Sequence, residues 1–437
     1  MPQTSRPDIS TINIPRWWLI GGSFLFLLII FGLTTPFDFS WPQIVAAGEN
    51  NFSIRESISR FQHGNLGRRI GMLILAAFAI YTLCKAENRF RFNIPAGLML
   101  AFYLLWAQFS LVWSTDVLLT LRRVATADIL WLAAIATAAR YTLREQAWIA
   151  VLVTGATLAL AIANELRLHT IDPVNELWRF AGLFHTVAMG WNLSILVLSA
   201  IFLVNGEKKK RLRFTLFVVI FAGFIFLILT KSRAPLAATL LSMGFYWHKV
   251  LSSTRKRLLA LAPVIILCLV YLVIGDRLLD YGVTTSTMGR GELTQKSVTD
   301  FTGRLPLWIE CINWAKERPI LGYGFNTFIN PKTIEQISRN IGWMPSSTHS
   351  AYMDALAGLG YVGAIAFISF LLTSLTRAYS LSRQYPEYIF VVAVLLWLII
   401  NLSMATGLII RPTFMSFFCM TLLARLAFLP GPEWERT

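Results

Sequence analysis

Two histidines stand where a proton could be moved. His349, in SSTHSAYMDALAGLGYVGAIAF from Ser346, and His185, in RFAGLFHTVAMGWN, each sit at the polar mouth of a long apolar run. A helix start disfavours an imidazolium, so a ring placed there stays neutral and able to accept a proton. The plainer alternative, an interfacial histidine with a hydrogen-bonded ring, stays open for both. Asp354 lies five residues after His349, a spacing that does not stack on one helical face, so no carboxylate–histidine pair is expected. The other histidines, His63, His169 and His248, fall in ordinary loop or cytoplasmic context.

A set of cations could serve an anion. Arg122, Arg123, Arg179, Lys231, Arg233, Arg290, Arg304 and Arg411 all fall on the side of the membrane where basic residues are discouraged. Arg122 and Arg123 are the most expensive, about two turns into an apolar run, where an unpaired charge costs at least ~2.5 kcal/mol. Either such residues snorkel to the interface or meet an acid such as Asp116 or Asp128, or several converge on one external cavity that binds an anion. Arginine suits a diphosphate, because its planar fork donates paired charge-assisted hydrogen bonds to phosphate oxygens.

The elements that must position these residues are membrane helices. The chain is 56% hydrophobic and 14% charged over 437 residues, far from an average soluble domain. A spanning helix needs about 20 mostly apolar residues. Twelve such runs are expected near 17–35, 69–85, 94–113, 117–139, 147–165, 183–205, 213–230, 234–252, 258–275, 351–375, 388–407 and 412–429. The expected fold is therefore an all-α polytopic membrane protein. Its organisation would be transmembrane helices one to nine within residues 1–275, a large external loop at 276–350, and helices ten to twelve with a short tail within 351–437.

Basic residues near span ends mark the cytoplasmic side. GEKKKRLR from Gly206, SSTRKR from Ser252, CKAENRFRF, ARYTLREQ and RAYSLSR all fall together, which puts both termini in the cytoplasm. Arg6 and Arg16 precede the first span with no clear small-residue cleavage site, so that span reads as an uncleaved anchor. The formal charge of +16 is largely this topological signal, and no nucleic-acid partner is expected. On the external side lie loops 36–68 and 276–350. The longer one carries Trp308, Trp314, Phe325, Phe328 and Trp343, too aromatic for a tether, and reads as partly helical.

Other chemistry finds little support. Cys84, Cys268 and Cys419 lie in or beside spans and Cys311 alone is external, so no structural disulfide is expected. There is no HExxH, no Cys or His pair at metal spacing, no GxGxxG after a strand and no GKS/T loop, so neither a metal nor a cofactor is expected. Internal repeats of the kind many transporters carry are not evident.

The His349 segment resembles the His-containing segment of the O-antigen ligase and polymerase superfamily, which are integral membrane glycosyltransferases. Four further stretches resemble that family in order: LVWSTDVLLTLRRV, WRFAGLFHTVAMGWN, LTKSRAPLAA and GRLPLWIECINWAKERPILGYGFNTF. Together they run from about Trp113 to Gly363. The departure is at His185-Thr186-Val187, where the family often has His-Pro-Asn.

The resemblance implies a GT-C-like fold in the bacterial inner membrane, with the active site facing the periplasm and the long loop periplasmic. It implies a donor glycan on undecaprenyl diphosphate and transfer to an acceptor hydroxyl without metal or nucleotide. Arg179, Arg233 and Arg304 would clamp the diphosphate, with Arg122, Arg123, Arg411 and His185 in support. Arg304 would stabilise the developing charge of the leaving group and His349 would be the general base. The motifs include no nucleophilic carboxylate, so the expectation is one displacement with inversion. Pro319, Gly322 and Gly324 read as a structural turn.

Ligases pass the glycan to lipid A-core, polymerases join repeat units, and protein oligosaccharyltransferases use a serine or threonine. The length, the span count and the tail ending in GPEWERT favour the ligase. A lipid-linked glycan transporter would spread its charges through the midplane, whereas these gather on the external half. A non-catalytic scaffold would leave the Arg and His placements unexplained.

Overall fold

The computed structural model describes residues 16–35, 37–46, 66–85, 92–173, 178–251, 304–343, 345, 347–406 and 411–429. All regular structure in them is helical. The helices are α1 (Arg16–Thr34), α2 (Trp41–Ala46), α3 (Leu66–Lys85), α4 (Ile94–Phe109), α5 (Val117–Arg140), α6 (Leu143–Leu168), α7 (Thr186–Gly206), α8 (Lys210–Leu229), α9 (Arg233–Val250), α10 (Arg304–Glu317), α11 (Pro331–Ile341), α12 (Ala351–Gln384), α13 (Tyr388–Leu402) and α14 (Phe414–Phe428). Seven of these described helices, α1, α3, α4, α6, α7, α8 and α12, are long and apolar enough to cross a membrane, and α13 and α14 are shorter apolar helices. The span expected at 258–275, most of loop 36–68 and residues 276–303 lie outside the described residues.

Local signals set the helix ends. The Asn93 side chain caps α4 by accepting from the Ala96 amide, ahead of a proline in the first turn. Thr142 and Glu145 form a reciprocal capping box at α6. Thr413 caps α14, and α6 stops where His169 turns left-handed at φ 53°. The α7 helix is buried along most of its length between α6 and α8, while α8 turns most of its apolar surface outward. The α5 helix packs on both α3 and α14, and its buried Ala133, Ala134, Ala136, Ala138 and Ala139 are small residues that let backbones approach. Buried Arg425 of α14 closes that seam by donating to the carbonyls of Ala138, at 3.1 Å, and Tyr141.

The run expected to span 351–375 is longer and broken. Gly360 has φ 68° and ψ −171°, which only glycine adopts without strain, and it interrupts α12. The break leaves carbonyls without helical partners, and the segment between α10 and α11, together with Trp106 of α4, supplies them. The amides of Tyr323 and Gly324 donate to the Ala357 and Gly358 carbonyls at 3.1 and 2.8 Å, and the Trp106 indole donates to the Leu359 carbonyl at 3.1 Å. In return the Tyr361 amide donates to the Pro319 carbonyl at 2.7 Å. A Cβ on Gly322 would stand 2.6 Å from backbone atoms of Gly358 and Gly360, and one on Gly360 would stand 2.3 Å from the Ile320 carbonyl oxygen. Both glycines are required because backbone meets backbone there.

The Trp113-Ser114-Thr115 stretch completes this junction. The Trp113 indole donates to the Leu321 carbonyl at 2.7 Å, and the Thr115 amide donates to the Tyr323 carbonyl at 3.1 Å. A small core of Leu307, Cys311, Phe328, Ile334 and Ile337 joins α10 and α11 to α12 through Ala357. Three separate sequence motifs thus form one rigid junction beside the start of α12.

Candidate functional site

His349 lies two residues before α12 in a short loop held from several directions. Its φ of 54° is left-handed, unusual for a non-glycine residue and sustained only where surroundings over-determine it. The Thr348 hydroxyl lies 2.7 Å from Asp354 Oδ1 and 2.8 Å from the Ser350 carbonyl, and it accepts from the Ser350 amide at 3.3 Å. The Trp308 indole of α10 donates to the Thr348 carbonyl at 3.0 Å. The rings of Trp343 and His349 lie 6.1 Å apart. Asp354 is buried and bonds Thr348 rather than His349, so it fixes the loop instead of pairing with the ring.

The His349 pKa falls from 6.5 to about 4. Burial is the main cause, and the nearby charges of Arg304, Arg411 and His185 add to it. The ring is therefore neutral at physiological pH, and those three residues approach it from three different elements.

His185 is the N-cap of α7. Its Nδ1 accepts from the Val187 amide at 3.3 Å, so in the neutral ring the proton sits on Nε2 and that edge can donate. The Trp41 ring of α2 meets it edge-on, with centroids 5.4 Å apart.

Arg179, Arg233 and Arg304 gather around the α8–α9 turn. The Arg179 guanidinium donates to the Thr230 carbonyl at 3.2 Å and to the Thr186 hydroxyl, tying the start of α7 to that turn. Arg233 opens α9 three residues after Thr230. Arg304 opens α10, donates to the Met404 carbonyl at 3.0 Å, and feels the field of Arg233; burial chiefly, and then Arg233, lower its pKa.

Arg122, Arg123, Arg411 and His185 line a cavity of about 760 Å³. It is walled by α1, α3, α5, α6 and α7 and by the segment leading into α14, and it is apolar at Leu28, Phe31, Met72 and Leu119. Neither Arg122 nor Arg123 forms a close ion pair with Asp116 or Asp128, although Arg123 lies in the fields of Asp354 and Asp116. Asp116 caps α5 through the Leu119 amide, Asp128 faces Gln108, and neither lies within 4 Å of those guanidiniums. Arg411 is solvent-accessible yet enclosed by protein, because its accessible surface faces the cavity. Among the described residues no group of three or more His, Cys, Asp or Glu stands together.

Residues 216–368 match the family model described as O-antigen ligase. That stretch, about a third of the chain, is similar to the O-antigen ligase family. No curated protein matches it. The apolar helices are those of a membrane protein, and the matched stretch resembles that of glycosyl-transferring O-antigen ligases. The O-antigen ligase stretch runs from within α8 into α12 and holds Arg233, Arg304 and His349, while Arg122, Arg123, Arg179, His185 and Arg411 lie outside it.

Sequence reasoning missed Arg68 and Arg69, which line the same cavity from the first turn of α3. Their signal was available: a pair of arginines where an apolar run opens on the external side, as Arg122 and Arg123 stand in α5. It also missed Thr348 and Asp354 as the holders of the His349 loop, which needs the fold of 347–354 to be seen.

Proposed function

We propose that the protein is an O-antigen ligase that transfers a glycan from undecaprenyl diphosphate to a sugar hydroxyl of lipid A-core at the periplasmic face of the inner membrane. In this reading about twelve helices span the membrane with both termini cytoplasmic. The segment 276–350 forms a periplasmic loop between a 1–275 bundle and helices ten to twelve of 351–437. The observation that carries the reading is His349, neutral and held in a strained loop, with Arg304 near it in a family-matching stretch.

In the reaction the acceptor hydroxyl oxygen attacks the anomeric carbon while His349 takes its proton. The bond from that carbon to the diphosphate oxygen breaks, and its electron pair leaves on the diphosphate. Arg304, Arg233 and Arg179 receive that charge in a site already organised for it, the usual source of the largest catalytic term. A displacement of this kind inverts the anomeric carbon. Arg304, whose charge helps to depress the His349 pKa, is neutralised when the diphosphate binds, so donor binding raises the basicity of the ring as the acceptor arrives. Arg122, Arg123, Arg411 and His185 support the substrates from the adjoining cavity.

The test is transfer by purified protein from an undecaprenyl-diphosphate-linked glycan to lipid A-core in chelator. Wild type is expected to yield inverted product, and His349→Ala to lose about 10²–10⁴-fold in rate, the range for a general base. Wild-type product only on lipid-linked repeat units would make the protein a polymerase, and product only on protein serine or threonine a protein oligosaccharyltransferase.

A further inference from the structure

The cations do not form one cluster. His349 interacts electrostatically with both Arg304 and Arg411. Arg304 lies in the field of Arg233, and neither lines the cavity. Arg411 lies in the fields of Asp354 and Arg68, and all three line it. The second group completes itself in the cavity, where Arg68, Arg69, Arg122, Arg123 and Arg411 face one volume with a single acid, Asp354. Among the described residues none of these five guanidiniums has a carboxylate within 4 Å. Among the described residues only Arg68 of the five makes a side-chain hydrogen bond, donating from Nε to the Thr34 carbonyl at 3.0 Å.

Five guanidiniums around about 760 Å³ with one carboxylate repel one another, and cations so placed are retained where an anion completes the site. Beside polar residues such as Asn192 and Thr157, the cavity wall carries the apolar side chains of Leu28, Phe31, Met72 and Leu119, so the anion it suits is a phosphate carried on a lipid. A two-substrate transferase has two such lipids. The family-matching stretch contains Arg233 and Arg304 of the first group and none of the five cavity arginines.

We propose that the cavity arginines form a second lipid-phosphate site, separate from the Arg179–Arg233–Arg304 group, and that it takes the phosphorylated glycolipid acceptor and brings the acceptor's hydroxyl to His349. The assignment to the acceptor rests on the transferase reading above; the existence of the site does not. Donor and acceptor then carry their phosphates in separate groups of arginines, which keeps two anionic lipids from competing for one clamp.

The experiment measures equilibrium binding to the full-length protein in detergent with three probes: lipid A bearing both phosphates, the same lipid enzymatically dephosphorylated, and undecaprenyl diphosphate. Wild type is expected to prefer the phosphorylated lipid A by at least tenfold. The Arg69→Gln/Arg122→Gln variant should abolish that preference and leave undecaprenyl diphosphate binding within twofold, and Arg69→Lys/Arg122→Lys, which keeps the charge, should retain part of it. Two results overturn the proposal: wild type that binds both forms of lipid A equally, or a glutamine variant that loses undecaprenyl diphosphate binding as strongly as lipid A binding, which would assign the cavity to the donor. Selective binding without transfer to lipid A-core would leave the lipid-phosphate site standing and remove the ligase reading.

Discussion

The neutrality of His349 is the property from which the chemistry follows, and it can be titrated directly. Its pKa falls from 6.5 to about 4, with burial the largest cause and Arg304 the next. Arg304 therefore accounts for less than half of it, and Arg304→Gln should raise the midpoint by no more than about one unit, worth about 1.4 kcal/mol. The assay is NMR of ring-labelled histidine in detergent-solubilised protein, with the His349 signal assigned by its loss in His349→Gln. This reads the ring rather than turnover and stays usable in a variant that is catalytically impaired. Because the folded-state pKa lies below that of the unfolded chain, the neutral ring's contribution to stability is present above pH 6.5 and lost as the pH falls through about 4. Its ceiling is about 3 kcal/mol, reduced in practice because the ring is only partly buried. A wild-type midpoint near 6.5, or a midpoint that does not move in Arg304→Gln, would refute the argument that burial and convergent cations keep this base unprotonated.

Four further outcomes follow from the geometry. Gly360→Ala should destabilise strongly, by about 2 kcal/mol or more, because a positive φ and a carbonyl 2.3 Å away both oppose a Cβ; Gly342→Ala, with φ 78° but open space, should cost only about 1 kcal/mol. Thermal unfolding of the two variants in one detergent checks the difference. Thr348→Val should lower the transfer rate with little change in melting temperature, because it frees the His349 loop from Asp354, whereas Thr348→Ser should retain activity. Trp308→Phe should show a milder form of the same defect through the lost 3.0 Å indole bond to the Thr348 carbonyl. Arg425→Met should affect folding rather than transfer, since that guanidinium joins α14 to the carbonyls that end α5; the yield of monodisperse protein and specific activity separate the two effects.

Much of the fold was legible because the membrane imposes a length and polarity rule on each helix. The starts of α4, α5 and α6 follow from Asn93, Asp116 and Thr142, cap residues visible in the sequence. The break in α12 was not legible. Gly358-Leu359-Gly360 within an apolar run is compatible with an unbroken helix, and the φ of Gly360 is fixed by Tyr323, Gly324 and Pro319, more than thirty residues away. For the same reason the Trp-Ser, Gly-Tyr-Gly and Gly-Leu-Gly motifs gave no hint that they bond to one another. Among the site residues, His349, His185 and the arginines could be picked out because ionisable groups beside apolar runs are costly. Their division into two groups needed the packing of α3 and α5 around the cavity, which no spacing rule supplies.

The most direct measurement is a structure of the protein with a hydrolysis-resistant analogue of the undecaprenyl-diphosphate-linked donor. The account predicts diphosphate oxygens within about 3 Å of the Arg233 and Arg304 guanidiniums, with the His349 ring on the face of the sugar opposite the leaving oxygen. A diphosphate bound away from Arg304, or a sugar whose open face lies out of reach of His349, would contradict it.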